Sequence, residues 1–262
     1  MHLDFPHGVA GLLVGVIVGI TGVGGGSLMT PILVMMFGVA PQTAVGTDLL
    51  TASITKMCGT AVHQRHGTVD WQIVKRLALG SLPAAALTLF WMNYGGAHRI
   101  SDGTIISAVG VALVVTALGM LFKEQLHAVG KRFRVGDSEK FKAMQLPATV
   151  IAGVLLGVLV TLTSIGAGAL GTVMLVYLYP LRLDANRLVG TDLAHAIPLA
   201  LIAGLGHLSL GNVDYGLMVN LLLGAIPGVI LGSLVSTRAP MKVIRIAIAL
   251  VLLVVAYKML VH

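Results

Sequence analysis

The chain has 262 residues, of which 56% are hydrophobic and only 10% are charged, whereas about a quarter of the residues in a typical soluble domain are charged. This composition, with a mean hydropathy of +0.95, excludes an ordinary soluble domain and predicts an integral membrane protein. The net charge of +7 lies mostly in loops between apolar runs, which is typical of membrane topology and argues against a nucleic-acid partner. The single cysteine, Cys58, excludes an intramolecular disulfide and a cysteine-rich metal site.

Each half of the chain holds one broken apolar run followed by three apolar segments of about the length that crosses a bilayer as a helix. These lie near 8–37, 46–63, 72–93 and 103–122 in the first half, and near 146–180, 190–207, 216–236 and 243–261 in the second. Such lengths exclude a transmembrane barrel, whose strands are short and alternating. We predict an all-α polytopic membrane protein with a first transmembrane repeat over 1–122, a basic cytoplasmic connector over 123–143 and a second repeat over 144–262.

Each broken run is interrupted near its middle by a glycine-rich break. The first break is 21–27, Thr-Gly-Val-Gly-Gly-Gly-Ser, and the second break is 163–168, Thr-Ser-Ile-Gly-Ala-Gly. Glycine is a poor helix former, so both clusters are expected to unwind the helix. The resulting arms, about 13 and 11 residues long, are too short to cross a bilayer untilted. We expect two re-entrant hairpins whose tips meet near the midplane, and two short spans per run are the alternative.

The two halves form an internal duplication. Gly-Thr-Asp-Leu at 46–49 recurs 144 residues later at 190–193, and the broken runs align at an offset of 142. Lysine and arginine are concentrated in the connector, and loops that are rich in them in one half are matched by poorer loops in the other. Because basic residues favour the cytoplasmic side, we predict inverted-topology repeats, each with an odd number of crossings.

Several residues of the first half together resemble a known family. They are Gly-Val-Gly-Gly-Gly at 22–26, Pro31, Ala-Val-Gly-Thr at 44–47, His63, Gly67, Val-Asp-Trp at 69–71 and Gly80. At this spacing they resemble the sulfite exporter TauE/SafE family of bacterial inner-membrane permeases, and the similarity covers nearly the whole chain. The resemblance implies secondary transport of a sulfur-containing anion, either sulfite or a small organosulfonate, commonly in the outward direction.

The two breaks are the candidate anion site, since broken helices at corresponding places in two repeats are typical of a transporter's binding site. Half-helices starting near Ser27 and Ala169 would point unpaired N–H groups and positive dipole ends at the breaks, which suits an oxyanion. Close helix packing is the alternative role for the glycines. The predicted substrate-binding residues are Thr21, Gly24, Gly25, Gly26, Ser27, Thr47, Lys56, Thr163, Ser164, Gly166, Gly168 and Thr191.

Three ionisable residues lie within the apolar segments. Asp48 and Asp192 each follow a threonine, so Thr47 and Thr191 could be helix N-caps, and the carboxylates could take up a proton or sodium ion for coupling. Lys56 lies in mid-segment, where a lysine costs about 3 kcal/mol on insertion scales. We predict that it neutralises a substrate anion or pairs with an aspartate, and snorkelling to an interface is the alternative.

Three histidines complete the candidate coupling residues. They are His63, its counterpart His207, and His195, which follows Asp192 by three positions. A histidine titrates near neutral pH and could relay protons, and for His63 and His207 a hydrogen-bonded interfacial role is the alternative. The histidines lack the tight spacing of metal ligands, so we expect no metal and no cofactor.

The main alternatives to a sulfur-anion transporter are a permease for sulfate or thiosulfate and a metal-cation permease that uses Asp48 and Asp192 as ligands. An enzyme is disfavoured because the sequence shows no nucleophile–base pair and no phosphate-binding loop. A purely structural subunit would leave the repeated breaks unexplained. The expected surroundings are the lipid bilayer of the bacterial inner membrane, with H⁺ or Na⁺ as the coupling ion. The sequence leaves the oligomeric state open, and a homodimer is one alternative.

Overall fold

The computed structural model describes residues 4–21, 26–65, 68–94, 102–136, 138–235 and 241–261, and within these ranges all regular structure is helical. The helices are α1 (Phe5–Thr21), α2 (Gly26–Phe37), α3 (Pro41–Arg65), α4 (Trp71–Tyr94), α5 (Asp102–Leu121), α6 (Lys123–Gly136), α7 (Ser138–Thr163), α8 (Ala169–Leu178), α9 (Ala185–Ser209), α10 (Tyr215–Val235) and α11 (Met241–Val261).

Six helices in the described ranges are long and apolar enough to cross a membrane, namely α4, α5, α7, α9, α10 and α11. The predicted all-α class with several candidate membrane spans is therefore confirmed, and five of these helices coincide with predicted spans. The remaining predicted span, 46–63, lies within α3. That helix has 25 residues, a sufficient length, but Asp48, Lys56 and a series of threonines make it more polar than the other six.

The outer arms of the broken runs are longer than the sequence predicted. α1 has 17 residues and α7 has 26, and α7 alone is long enough to cross a bilayer. The predicted length of about 13 residues was wrong because residues before the apolar run continue the helix, over 5–7 in α1 and over 138–145 in α7. α7 begins at Ser138, inside the basic connector, and the rest of that connector forms α6. The inner arms, α2 and α8, have 12 and 10 residues.

Both broken runs return to the end at which they begin. The ring of His7, early in α1, stacks on Phe37 at the end of α2 with 4.3 Å between ring centroids. The Thr149 hydroxyl of α7 bonds the Tyr179 hydroxyl after α8 at 2.8 Å. These two pairs are counterparts at the offset of 142. The helices α1 and α2, and likewise α7 and α8, therefore form two hairpins with the glycine-rich breaks at their tips.

Glycines let the long helices approach closely. α1 packs on α10, and α7 packs on α4. A Cβ built on Gly15 of α1 would lie 2.5 Å from the carbonyl oxygen of Ala225, and a Cβ on Gly157 of α7 would lie 2.4 Å from that of Ser81. The two contacts are counterparts, because Gly15 corresponds to Gly157 and Ser81 corresponds to Ala225 in the duplication. Small residues at helix crossings are typical of membrane proteins. The pairs α3–α9 and α5–α11 join counterpart helices.

Apolar side chains cover much of the outside of the long helices, while two aspartates lie inside. Leu87 and Leu234 are 67% and 71% exposed, whereas Asp48 and Asp192 are 2% and 1% exposed. This distribution suits a hydrocarbon solvent, in which apolar surface carries no cost and a charge is expensive. The largest apolar cluster fills the space around α3, α4, α7, α8 and α9. The antiparallel pair α3–α9 therefore lies at the centre of the protein with the hairpin tips beside it.

Candidate functional site

The two hairpin tips meet beside α3. A Cβ built on Gly26, the first residue of α2, would lie 1.9 Å from the backbone oxygen of Ser164 in the second break. Ser164 has a positive φ of 58°, and Gly166 and Gly168 have φ of 119° and 143°. Such angles suit glycine and are rare for serine. The predicted starting points of the half-helices near residues 27 and 169 agree with the structure. Gly24 and Gly25 lie outside the described residues.

Asp48 connects the two tips through hydrogen bonds. Its Oδ2 atom accepts a bond of 2.9 Å from the Thr30 hydroxyl of α2 and one of 2.7 Å from the Ser164 hydroxyl of the second break. Hydroxyl bonds to a charged acceptor are stronger than neutral ones. Thr30 was not among the predicted site residues, although its position one turn into the half-helix could have indicated a side chain that faces the neighbouring α3. Asp48 thus has two donors, one from each half of the chain.

Lys56 lies eight residues after Asp48, about 12 Å further along α3. Its side chain is buried, and its ammonium donates a 2.8 Å hydrogen bond to the carbonyl oxygen of Ala167 in the second break. Within the described ranges no carboxylate lies in ion-pair distance of it, and Asp192 and Asp48 act on it only from further away. An ammonium has three N–H donors. Two of them therefore have no partner in the part of the chain that the structure describes.

A small cavity reaches Lys56 from the α1–α10 side. Its polar lining consists of Asp48, Thr51, Thr55 and Lys56, all on α3, and its remaining lining is apolar. Thr51 and Thr55 donate their hydroxyl hydrogens to carbonyl oxygens one turn earlier in α3, at 2.9 and 3.0 Å. These two threonines were not predicted. Their spacing of four residues, in line with Thr47, was the signal in the sequence.

Asp192, the counterpart of Asp48, has different surroundings. Both of its carboxylate oxygens are buried and have no hydrogen-bond partner among the described residues. Its Oδ1 lies against the Cα of Gly171 in α8, where a Cβ would come within 2.1 Å of it. Lys56 and Lys123 are the cations that act on it. Burial and the nearby Arg245 lower the pKa of Lys123, which lies outside the spans, and Asp192 opposes that change.

Thr47 and Thr191 connect the helices to loops of the other half and are not N-caps. The Thr47 hydroxyl accepts a 3.1 Å bond from the backbone N–H of Asp214, and the Thr191 hydroxyl accepts a 2.9 Å bond from that of Asp70. The N-cap prediction was wrong because both helices begin two turns earlier. α3 starts at Pro41, a residue suited to a first helical turn, and the Asp184 side chain caps α9.

The hydroxyls of the other predicted threonines bond within their own helices. Thr21 donates to the carbonyl oxygen of Ile17 at 2.7 Å, and its counterpart Thr163 donates to that of Leu159 at 2.6 Å. Thr163 also accepts a 3.1 Å bond from the N–H of Ile165, which satisfies one amide of the second break. Ser27 is buried in the first turn of α2. Thr21 and Thr163 therefore donate their hydroxyl hydrogens to backbone carbonyl oxygens beside the tips.

His195 and His207 are buried and hydrogen-bonded. His195 Nε2 bonds the Ser81 hydroxyl of α4 at 2.8 Å, and its Nδ1 has no partner among the described residues. His207 Nε2 lies 2.8 Å from the carbonyl oxygen of Thr161, so this nitrogen donates and holds the end of α7 against α9. The side chain of His63 lies outside the described residues. The described part of the chain contains no group of three or more His, Cys, Asp or Glu residues that could hold a metal ion.

Comparisons with known proteins show which family the chain resembles. Residues 8–259 match the family described as sulfite exporter TauE/SafE. The chain is 39% identical over 253 residues to the probable membrane transporter protein YjnA of Bacillus subtilis (strain 168), covering 95% of this chain and 97% of that protein. It is 28% identical to the probable membrane transporter protein YdhB of the same organism, covering 91% and 92% of the two chains.

A probable membrane transporter protein of Haemophilus influenzae is 24% identical, with 96% of both chains covered. No solved structure matches the chain. The family is one of membrane permeases and not of enzymes, and the match extends over both hairpins, the α3–α9 pair and all six candidate spans. The chain is a membrane transporter that belongs to the sulfite exporter TauE/SafE family.

Proposed function

We propose that this transporter exports a small sulfur-containing anion, sulfite or an organosulfonate, across the bacterial inner membrane by alternating access. The observation that carries the proposal is Lys56, a buried ammonium beside a cavity, with one hydrogen bond and two N–H donors that find no partner among the described residues. A charge in a low-dielectric interior is costly unless it is paired. An anion that enters the cavity would supply a partner for these donors, and Lys56 would be the only charged donor of the described cavity lining that it has to leave, because Thr51 and Thr55 already donate their hydroxyl hydrogens to the backbone.

The pairing of equivalent contacts supports inverted repeats as the moving units. The contact of His7 with Phe37 recurs as Thr149 with Tyr179, and the helix pair α1–α10 recurs as α7–α4. Such exchange of partners is what a two-fold relation between the repeats would produce, and the antiparallel pairing of the counterpart helices α3 and α9 fits an axis in the membrane plane. Rocking of one repeat against the other would alternate access. The basic residues of the connector favour a cytoplasmic position for α6.

The test replaces Lys56 with methionine, which retains much of the side-chain volume and removes the charge. The loss of the bond to the Ala167 carbonyl costs about 1–3 kcal/mol, but removal of a buried charge offsets it, so the variant is expected to fold. We expect it to lose both the thermal stabilisation by sulfite or ethanesulfonate and flux in proteoliposomes. Lys258→Met, at an exposed position of α11, is the matched control and should behave as wild type. Unchanged flux in Lys56→Met would refute the proposal.

The second candidate is a cation permease, favoured by the burial of two carboxylates. In that case Asp48 and Asp192 would be essential and Lys56 dispensable, because an ammonium repels a metal ion. The same assay separates the two functions when divalent metals are tested beside the anions. Stabilisation by sulfate or thiosulfate that is lost in Lys56→Met would support an anion site at Lys56 with a different substrate from the one proposed.

A further inference from the structure

The two aspartates of the duplicated Gly-Thr-Asp-Leu motif have different environments. Asp48 accepts hydrogen bonds from Thr30 and Ser164, whereas both oxygens of Asp192 are buried without a hydrogen-bond partner in the described ranges. A buried carboxylate without donors pays the full cost of desolvation when it is charged. A negative charge is therefore more costly at Asp192 than at Asp48.

The sequence explains why Asp192 lacks the two hydroxyl donors that Asp48 has. At the offset of 142, the counterpart of Ser164 is Gly22, which has no side chain to donate. The counterpart of Thr30 is Thr172, and its hydroxyl donates to the carbonyl oxygen of Ala169 at 2.9 Å within α8. Both hydroxyls that hold Asp48 are thus missing or turned away at Asp192. The difference follows from the residues of the two breaks.

We propose that Asp192 binds the coupling proton of this transporter, while Asp48 stays an ionised acceptor that holds the two tips together. The inference deepens the proposed function, on which its coupling to the anion rests. A proton needs a single oxygen, whereas a metal ion needs several ligands. One side of the carboxylate is closed by the Cα of Gly171, and the described residues offer no three-ligand group. A proton is therefore the cation that fits.

The charged and titratable groups around Asp192 determine how this proton affects the anion. Lys56 faces Asp192 from α3 and Lys123 faces it from α6. His195 lies one turn further along α9, bonded to Ser81 of α4 through Nε2, with Nδ1 free of partners in the described part of the chain. α8 contributes the uncharged Gly171. Protonation of Asp192 neutralises its carboxylate, which otherwise competes with the substrate anion for interaction with the positive charge of Lys56. Binding of the proton and binding of the anion therefore strengthen each other, as linkage requires.

The first experiment needs no anion. Infrared difference spectra of the purified protein between pH 6 and pH 8 should show the C=O stretch of a protonated carboxylic acid. We expect the band in wild type and in Asp48→Asn, the matched control at the counterpart position, and its loss in Asp192→Asn. Loss of the band in Asp48→Asn, or its persistence in Asp192→Asn, would overturn the assignment. Even when Asp192→Asn does not fold, loss of the band in Asp48→Asn would overturn the assignment.

The second experiment measures coupling with ethanesulfonate, whose charge does not change over this pH range. Its affinity should increase as the pH falls, by at most about tenfold per pH unit for one linked proton. Asp192→Asn should bind with an affinity that is independent of pH. Binding that stays pH-dependent in this variant would refute the coupling. Absence of binding of both ethanesulfonate and sulfite in every variant, with the infrared band still dependent on Asp192, would refute the proposed anion function and leave the proton assignment supported.

Discussion

Gly26→Ala is predicted to separate the two hairpin tips. The Cβ of alanine would lie 1.9 Å from the backbone oxygen of Ser164, about 1.5 Å inside the 3.4 Å at which ordinary van der Waals contact begins. The obstacle is backbone held at a positive φ, so it cannot rotate away as a side chain would. The two tips must move apart, and Ser164 also donates the 2.7 Å hydrogen bond to Asp48.

The cost has two parts. Overpacking of a well-packed contact costs about 1–3 kcal/mol. A displacement of about 1.5 Å would also break the bond from Ser164 to Asp48, and a hydrogen bond to a charged group contributes about 1.5–3 kcal/mol. Alanine is the better helix former, but at the first residue of α2 that gain is at most about 1 kcal/mol. We therefore expect a loss of about 2–5 kcal/mol in the free energy of unfolding.

The assay is thermal unfolding of the detergent-purified protein, with Gly119→Ala as the matched control. Gly119 lies inside α5, and a Cβ there would meet its nearest neighbour, a Val173 methyl group, at 3.4 Å, an ordinary contact. Gly119→Ala should be neutral or stabilise the protein by up to about 1 kcal/mol through helix propensity. Equal melting temperatures for Gly26→Ala and Gly119→Ala would show that the tips do not make the close contact from which the cost is derived.

Two further predictions concern contacts away from the tips. Thr47→Val and Thr191→Val each leave a loop N–H without its acceptor, so each should cost about 1–3 kcal/mol in thermal or denaturant unfolding with little change in anion affinity; the reverse pattern would place these threonines in the substrate site. Hydrogen bonds from Arg245 and Lys242 hold the pKa of Glu124 below its ordinary value of 4.5. That stabilisation is complete above pH 4.5 and is lost as the pH falls through the lower pKa of the folded state. The melting temperatures of wild type and Glu124→Gln should therefore differ by a constant amount above pH 4.5 and converge in more acid buffer, and a constant difference throughout would contradict this.

Much of the fold could be predicted from the sequence because it depends on local composition. A cluster of glycines destabilises a helix wherever it occurs, so the first residues of α2 and α8 followed from the breaks at 21–27 and 163–168. The apolar segments likewise predicted five of the six candidate spans. The buried position of Lys56 followed from its place in mid-segment.

Features that depend on tertiary packing could not be predicted from local composition. The length of α7 was missed because the polar residues after Ser138 have no apolar periodicity, yet they continue a helix that packs on α4. Thr47 and Thr191 resemble N-caps locally, and only the contact with the opposite loop shows that they accept bonds within helices. The partners of Asp48 come from two distant segments, so no local pattern could join them.

The duplication itself indicates where the functional residues lie. Positions that only pack are retained in both halves, as in the matched glycine contacts of α1 with α10 and of α7 with α4. Two departures from the repeat occur around the aspartates, where Lys56 is matched by Ala200 and Ser164 by Gly22. An exact repeat would give both carboxylates the same environment, and the two could not then differ in proton affinity. Because one aspartate has donors and the other has none among the described residues, the broken symmetry supplies the difference that coupling of a proton to an anion requires.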